Sequence, residues 1–292
     1  MIFSDSNSWT IQTPIEQSIR RKIEGIGVPL KNWNIRINRG ILTGFNDAFI
    51  IKAETKDQLI ADDPKSAEII RPILRGRDIK RYTINDSQLY LLFIPWHFPY
   101  HMDTSINGAS EKAEQAFKEQ YPAVYNHLLS YKEQLSNRNK AETGKRYEWY
   151  ALQRWGAKYW DDFFKQKIVW GNLCLESQFA MASEDYFINA PSPMLVPGDY
   201  YLLAILNSIV ADWYIRQLGV TRNGGYFEYK PMFVEQLPVP QIDDSLKDLY
   251  RSKAMEAEQN KTPETLDEIN SMVFKLYNLS DEEIKYLKNQ KV

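Results

Sequence analysis

The sequence predicts an α+β fold: a mixed β-sheet body with flanking helices, followed by a helical C-terminal tail. Three observations carry that prediction. Short apolar runs bounded by Gly, Pro and Asn recur between residues 33 and 196 and read as strands. Helical spacing of apolar residues precedes them at Pro14–Glu24 and interrupts them at Ser110–Asn137. Beyond Pro240 the pattern becomes wholly helical. The 292 residues, 43% hydrophobic and 13% aromatic, are ample for a sizeable core.

Each element has its own local reason. Pro14–Glu24 opens with Pro, carries Glu16 in its first turn and repeats Ile15, Ile19 and Ile23 every four residues; Gly25, Gly27 and Pro29 end it. Trp33–Ile37 and Ala48–Lys52 read as strands joined by a hairpin turn, Gly40-Ile41-Leu42-Thr43-Gly44-Phe45-Asn46-Asp47. Its glycines tolerate positive φ and close backbone approach, so the turn suits an anion. Lys65–Arg71 predicts a short helix stopped by Pro72, ahead of a compact turn at Leu74–Arg81 and a strand at Leu89–Ile94. Ser110–Asn137 is helical in two pieces parted near Tyr121-Pro122. Ile168–Trp170, Phe179–Met181, Tyr186–Ile188 and Met194–Val196 are short strands. Tyr200–Leu218 reads as one buried helix, since Asn207, Asp212 and Arg216 rule out a membrane span. A turn at Asn223-Gly224-Gly225 and a strand near Met232–Glu235 follow, closed by Pro238 and Pro240. Asp243–Asn278 holds two helices, and Ser280 with Glu283 forms a capping box for a third. These boundaries divide the chain into a helical lead-in (1–29), a body (30–240) and a tail (241–292).

Composition excludes several classes of chemistry. One cysteine, Cys174, permits neither an internal disulfide nor an all-Cys metal site. No glycine-rich nucleotide loop and no Gly-x-Ser-x-Gly elbow is present. His97 and His101 stand four apart, but Pro95 and Pro99 oppose the helix that would align them as metal ligands. No metal or catalytic residue is therefore expected. Asp212 with Glu228-Tyr229-Lys230 has the residue types of a Mg²⁺ nuclease, although Asp212 falls on a helix where a strand end is wanted. The N-terminus lacks the plan of a signal peptide, which makes a cytoplasmic protein the expectation.

Binding is better represented. The net charge is −2, yet residues 1–82 carry 14 Lys/Arg against 10 Asp/Glu, and residues 131–170 carry 9 against 5. A fold that joins these two blocks would make a phosphate-binding surface. Arg75, Arg77, Lys80 and Arg81 cluster around Gly76, where guanidinium groups suit phosphate or guanine edges. Lys140, Lys145, Arg146, Trp149 and Arg154 interleave cations with an aromatic ring. Arg222 and Asn223 precede a Gly-Gly turn, and Arg39, Thr43 and Asn46 surround the first glycine motif.

The order of these motifs resembles the TaqI-like specificity domain. That domain is the C-terminal target-recognition part of type IIG restriction-modification enzymes and related adenine-specific DNA methyltransferases. The matching stretches are Gly40–Ile50, Ile69–Tyr82, Tyr121-Pro122 with His127-Leu128, Leu135 and Arg138, Trp149–Gln153, Gln166–Trp170, Tyr201–Ser208 and Leu237–Pro240. The resemblance covers about residues 30–240, and Val273–Ser280 resembles the endings of such enzymes. It implies a mixed, curved β-sheet target-recognition domain that binds double-stranded DNA and supplies sequence specificity. Arg39, Thr43, Asn46, Arg75, Arg77, Lys80, Arg81, Lys145, Arg146, Trp149, Arg154, Arg222 and Asn223 are its candidate DNA-binding residues. The family's S-adenosylmethionine loop and its Asn-Pro-Pro-Tyr motif, which holds a flipped adenine, do not occur here. The chain is thus expected to be a recognition half whose partner is a methyltransferase or nuclease domain or subunit. S-adenosylmethionine and Mg²⁺ are implied only for that catalytic part. Two alternatives stay open: an interaction module of a methyltransferase complex, and the Mg²⁺-dependent nuclease.

Overall fold

The computed structural model describes residues 12–290, and its core is built on two four-stranded sheets. The first runs Arg36–Arg39, Pro193–Val196, Lys167–Trp170, Phe179–Ala182, antiparallel throughout. The second runs Ile50–Lys52, Leu89–Leu92, Ile70–Leu74, Phe187–Ile188; its last pair is parallel and the others antiparallel. With helices on both sides, this is the mixed α+β architecture the sequence predicts.

The first sheet is a wall between two cores. Side chains alternate across a strand. Accordingly Val169, Ala180, Ala182, Met194 and Val196 face the core shared with the second sheet and the helices of residues 111–137. Ile168, Trp170, Phe179, Met181 and Leu195 face the opposite core, formed with the helices Tyr200–Leu206, Ile209–Leu218, Asp244–Gln259 and Pro263–Leu276. Burial on both faces explains why these strands read as continuous apolar runs. The tail packs on this second core: the Tyr277 hydroxyl donates to the Pro238 carbonyl (2.6 Å), and the Asn270 side chain accepts from the Ile209 N–H (2.9 Å).

Locally determined elements form where expected. Thr13 caps the helix Pro14–Ile26 by a capping box, with its N–H donating to Glu16 (2.7 Å). Ser280 and Glu283 cap Asp281–Asn289 in the same way. Glu283 also accepts from Ser18 and Lys22, both at 2.7 Å, which ties the two helices together.

Elsewhere long-range pairing overrides local pattern. The stretch from Gly40 to Asp47 is no hairpin turn: the strand before it lies in the first sheet and the strand after it in the second. Asn46–Phe49 is a helical turn, and the first strand is displaced to Arg36–Arg39. Lys65–Arg71 is not one helix; a 3-10 turn ends at Ile69 and a strand runs through Pro72. The parallel neighbour begins only at Ile73, so the missing proline N–H costs no ladder bond. A break at Ser130–Tyr131 adds a third helical piece before Asn137. The helix predicted over Tyr200–Leu218 divides at Asn207, whose side-chain amide both accepts from the Phe179 N–H and donates to its carbonyl (3.0 and 2.9 Å). Pro231–Val234 is helical, and the closing strand is Pro238–Val239, paired with Val28–Pro29.

Lys167 is a fully buried cation in the wall. Its ammonium donates to the Ser183 and Tyr186 carbonyls at 2.8 and 3.0 Å, and burial pulls its pKa down to about 8 against the opposing field of Asp185 and Glu184. The folded state therefore releases this proton before the unfolded state does. Between about pH 8 and 10 the unfolded chain binds more protons, so this residue makes stability rise with pH. Urea unfolding of the wild type and of Lys167→Met at pH 7.5 and 9.5 checks this; an equal pH response in both would refute it.

Candidate functional site

Two backbone segments pass between the sheets side by side. One runs from Arg39 to Ile50, the other from Ile188 to Pro193, and their backbones bond at Gly40 N–H to Ser192 O (2.9 Å), Ile41 N–H to Ile188 O (2.7 Å) and Ala190 N–H to Ile41 O (2.8 Å). A Cβ on Gly40 would stand 2.4 Å from the Ile188 carbonyl oxygen, so glycine is what permits the approach. Leu42 bonds in turn to Arg154 through both backbone groups, at 3.0 and 2.9 Å. This bridge brings the second basic block beside the first.

At this junction lies a cleft of about 980 Å³. Its cationic lining is Arg39, Arg154, Lys158 and Lys230, and its aromatic lining is Trp96, Trp155 and Tyr159. Glu235 is the one carboxylate among its described lining residues. A cation-rich groove attracts polyanions.

Trp96 stacks on Tyr147 with ring centroids 4.8 Å apart, and its indole N–H donates to the Leu152 carbonyl (2.8 Å). The guanidinium groups of Arg146 and Arg154 lie over the Trp96 ring at 5.4 and 5.8 Å. Glu142 holds both arginines at 2.8 Å. Hydrogen bonding from Arg154 leads the effects that keep the Glu142 carboxyl below its usual range. Two guanidinium groups at one carboxylate is the arrangement a phosphate would compete for.

The predicted residues divide by burial. Arg39, Asn46, Arg77, Lys145, Arg146, Arg154, Arg222 and Asn223 are exposed. Arg39 and Arg154 meet in the cleft. The Gly76 turn abuts Ser192 and Gly171, neighbours of the cleft residues Pro191 and Asn172. Arg75 is committed to Asp78 through two side-chain bonds of 3.0 Å. Burial works against the Asp78 charge, and the bonds from Arg75 outweigh it, so the carboxyl stays below its usual range. Lys80 is half-buried. Three residues face inward. Thr43 is buried and donates to the Asn46 side chain (2.7 Å); Trp149 is buried with its indole N–H on Glu114 (2.7 Å); Arg81 is buried against the Asn207 carbonyl (2.5 Å). Trp149 follows an aromatic–basic rhythm in sequence but packs against Tyr125 and Tyr150 in the core.

The nuclease constellation is not assembled. Glu228 ends the two-residue strand Phe227–Glu228, Tyr229 follows it, and the two side chains have different partners. Tyr229 bonds Asp212, whereas Glu228 is held by Arg222 (2.6 Å) and Lys230 (2.8 Å). Asp212 is further occupied by the Ser177 N–H (2.7 Å) and Arg216 (3.0 Å). Among the described residues no group of three or more His, Cys, Asp or Glu side chains is placed to hold a metal. His97 instead pairs with Glu148 (2.9 Å), and Cys174 is buried with its thiol pKa pushed up to about 11 by desolvation. No helix among the described residues is long and apolar enough to cross a membrane.

Sequence reasoning missed Trp96, Trp155, Lys158 and Tyr159. The signal was present, since Trp155-Gly156-Ala157-Lys158-Tyr159 continues the basic–aromatic stretch that ends at Arg154.

Comparison with known proteins agrees with this architecture. The type II methyltransferase M.MjaIV of Methanocaldococcus jannaschii is 22% identical over 224 residues, covering 74% of this chain and 68% of the relative. Among solved structures, the type IIL restriction-modification enzyme MmeI in complex with DNA superposes with a TM-score of 0.62 at 12% identity, over 91% of this chain and 37% of that one. The type IIG restriction endonuclease BpuSI gives 0.50 at 14% identity, over 91% and 34%. The chain thus spans about a third of the length of these two enzymes. The model of the TaqI-like C-terminal specificity domain matches residues 71–239, more than half of the sequence, and the chain belongs to that family.

Proposed function

We propose that this chain recognises double-stranded DNA as the specificity part of a restriction-modification system and seats the duplex against the cleft between its two sheets. The observation that carries this reading is the convergence of Arg39, Arg154, Lys158 and Lys230 with Trp96, Trp155 and Tyr159 at one junction. The lining cations fix register on phosphates, which is the sequence-independent share of affinity. Arg77 and Asn223, exposed on two turns, are the side chains suited to guanine and adenine edges in the major groove, whereas Arg222 is held by Glu228. Methyl transfer and cleavage belong to a methyltransferase or endonuclease part that works with this chain and uses S-adenosylmethionine and Mg²⁺.

Fluorescence anisotropy with a labelled duplex across a salt series tests the reading. Neutralising Arg39 and Lys158 together by Ala is expected to flatten the log–log salt slope by about 1.8, near 0.9 for each lost phosphate contact. An unchanged slope would reject the cleft as the binding surface. Glu142→Gln is expected to act in the opposite sense. Releasing Arg146 and Arg154 should tighten binding about two- to tenfold at low salt and steepen the slope. Weaker binding by this variant would show that Glu142 orients the arginines for DNA and does not compete for them.

A further inference from the structure

Beside the cleft the segment Leu173–Cys174 pairs antiparallel with Phe227–Glu228, and Thr221 bridges back to Phe227. Asn172, Lys230 and Met232, which line the cleft, flank this small ribbon in sequence. The Tyr229 N–H donates to the Asn172 carbonyl (2.9 Å), so the ribbon and the cleft wall are continuous. Its hairpin is exposed throughout, from Val220 to Tyr226. The Arg222 N–H donates to the Tyr226 carbonyl (2.7 Å) and the Gly225 N–H to the Arg222 carbonyl (3.2 Å), which closes the tip. Gly224 and Gly225 stand at φ 80° and 78°, a left-handed pair that side chains rarely adopt. Asn223 is thus the one side chain of the Asn223-Gly224-Gly225 tip.

Leu173, Leu175, Val220 and Tyr226 are each 43–57% exposed on this one ribbon. Exposed apolar side chains scattered singly need no explanation, but a cluster does. A Cβ on Gly225 would stand 4.0 Å from Leu175 and one on Gly224 3.6 Å from the Tyr226 ring, so the tip adjoins the apolar side chains. Arg222 and Lys230 both bond the buried Glu228, through Nε at 2.6 Å and Nζ at 2.8 Å. That pairing fixes the base of the hairpin to the cleft wall and leaves an excess of positive charge there.

We propose that this ribbon is the element that enters the major groove, where Asn223 reads adenine and the apolar cluster packs on the 5-methyl group of thymine. The inference rests on the DNA reading above and adds to it the reading element and the base feature it meets. The major groove, about 12 Å wide, admits a two-stranded ribbon and is the groove in which the thymine methyl lies. An asparagine amide matches the N6 donor and N7 acceptor of adenine. Continuity with the cation-lined cleft favours nucleic acid over a protein surface as the occupant.

The test starts from duplexes that the full chain enriches from a randomised library. An enriched duplex is remade with deoxyuridine in place of every thymidine, which removes only the methyl groups, and binding is read by fluorescence anisotropy. The wild type is expected to bind the deoxyuridine duplex about fourfold more weakly for each methyl contacted. The Leu173→Ser/Leu175→Ser double variant should lose most of that penalty. Asn223→Ala is expected to bind the wild-type duplex at least about fivefold more weakly and, in its own selection, to lose the preference at an A·T pair. All three side chains are exposed, so these changes leave the core intact. The proposal is overturned if Asn223→Ala selects the wild-type sequence, or if the deoxyuridine penalty is absent or equal in the double variant. A wild type with salt-dependent binding but no sequence selection overturns the ribbon alone; one with no binding at low salt overturns the DNA reading as well.

Discussion

Gly40→Ala is expected to destabilise the protein by about 3 kcal/mol, the upper range for forced overpacking of a tight site. The added methyl would meet the Ile188 carbonyl oxygen at 2.4 Å and the Asn189 carbonyl carbon at 2.8 Å. Both are backbone atoms of the neighbouring crossing segment, so no side chain can turn aside to relieve the clash. The segments must separate, and the bonds at Gly40, Ile41 and Ala190 go with them. In a chain of this size the change lowers Tm by roughly 6–12 °C. Gly25→Ala is the matched control. Gly25 lies within the helix Pro14–Ile26, and a Cβ there meets nothing within 4 Å. Its replacement should stabilise by about 0.5–1 kcal/mol. Thermal melts of the two variants that fail to differ in sign would refute the account.

Arg138→Met is expected to cost about 3–5 kcal/mol, as large an effect as any single side chain here should give. The Arg138 guanidinium donates to the carbonyls of Thr43 (2.6 Å), Trp149 (3.3 Å) and Ala151, and it lies over the rings of Phe49 and Tyr147 at 5.4 and 5.6 Å. Burial depresses its pKa to about 10, with the field of Tyr147 opposing. Met fills similar volume yet leaves those carbonyls without their donor. Arg138→Lys should recover only part of the loss, because one ammonium cannot span acceptors set around a planar fork. Urea unfolding reads both variants, and a Met variant within 1 kcal/mol of wild type, about the net value of one hydrogen bond, would end the argument.

What the sequence made legible follows the range of the forces involved. The helix that opens at Pro14 and the cap at Ser280, closed within three residues, lie where local chemistry puts them. The buried strands of the first sheet were readable because burial on both faces leaves an unbroken apolar run. The Gly40 motif was read as a hairpin because adjacent strands usually pair. Its partners are about 150 residues away, at Ile188 to Ser192, and nothing near it in sequence announces them. The helix break at Asn207 has the same origin, since its side chain answers Phe179. Within the candidate site, residue type was legible and direction was not. Arg154 and Trp149 share one basic–aromatic stretch, yet one opens on the cleft and the other is sealed against Glu114.

The paired crossing segments also set a mechanical condition. Because the floor of the cleft is spanned twice by the chain's own backbone, spreading its walls would break main-chain hydrogen bonds instead of merely shifting side chains. The groove therefore has a preset gauge. Under the docking proposed above, bending and groove adjustment would fall on the DNA, whose stiffness depends on its sequence. Base pairs that no side chain touches would then be read through their resistance to deformation.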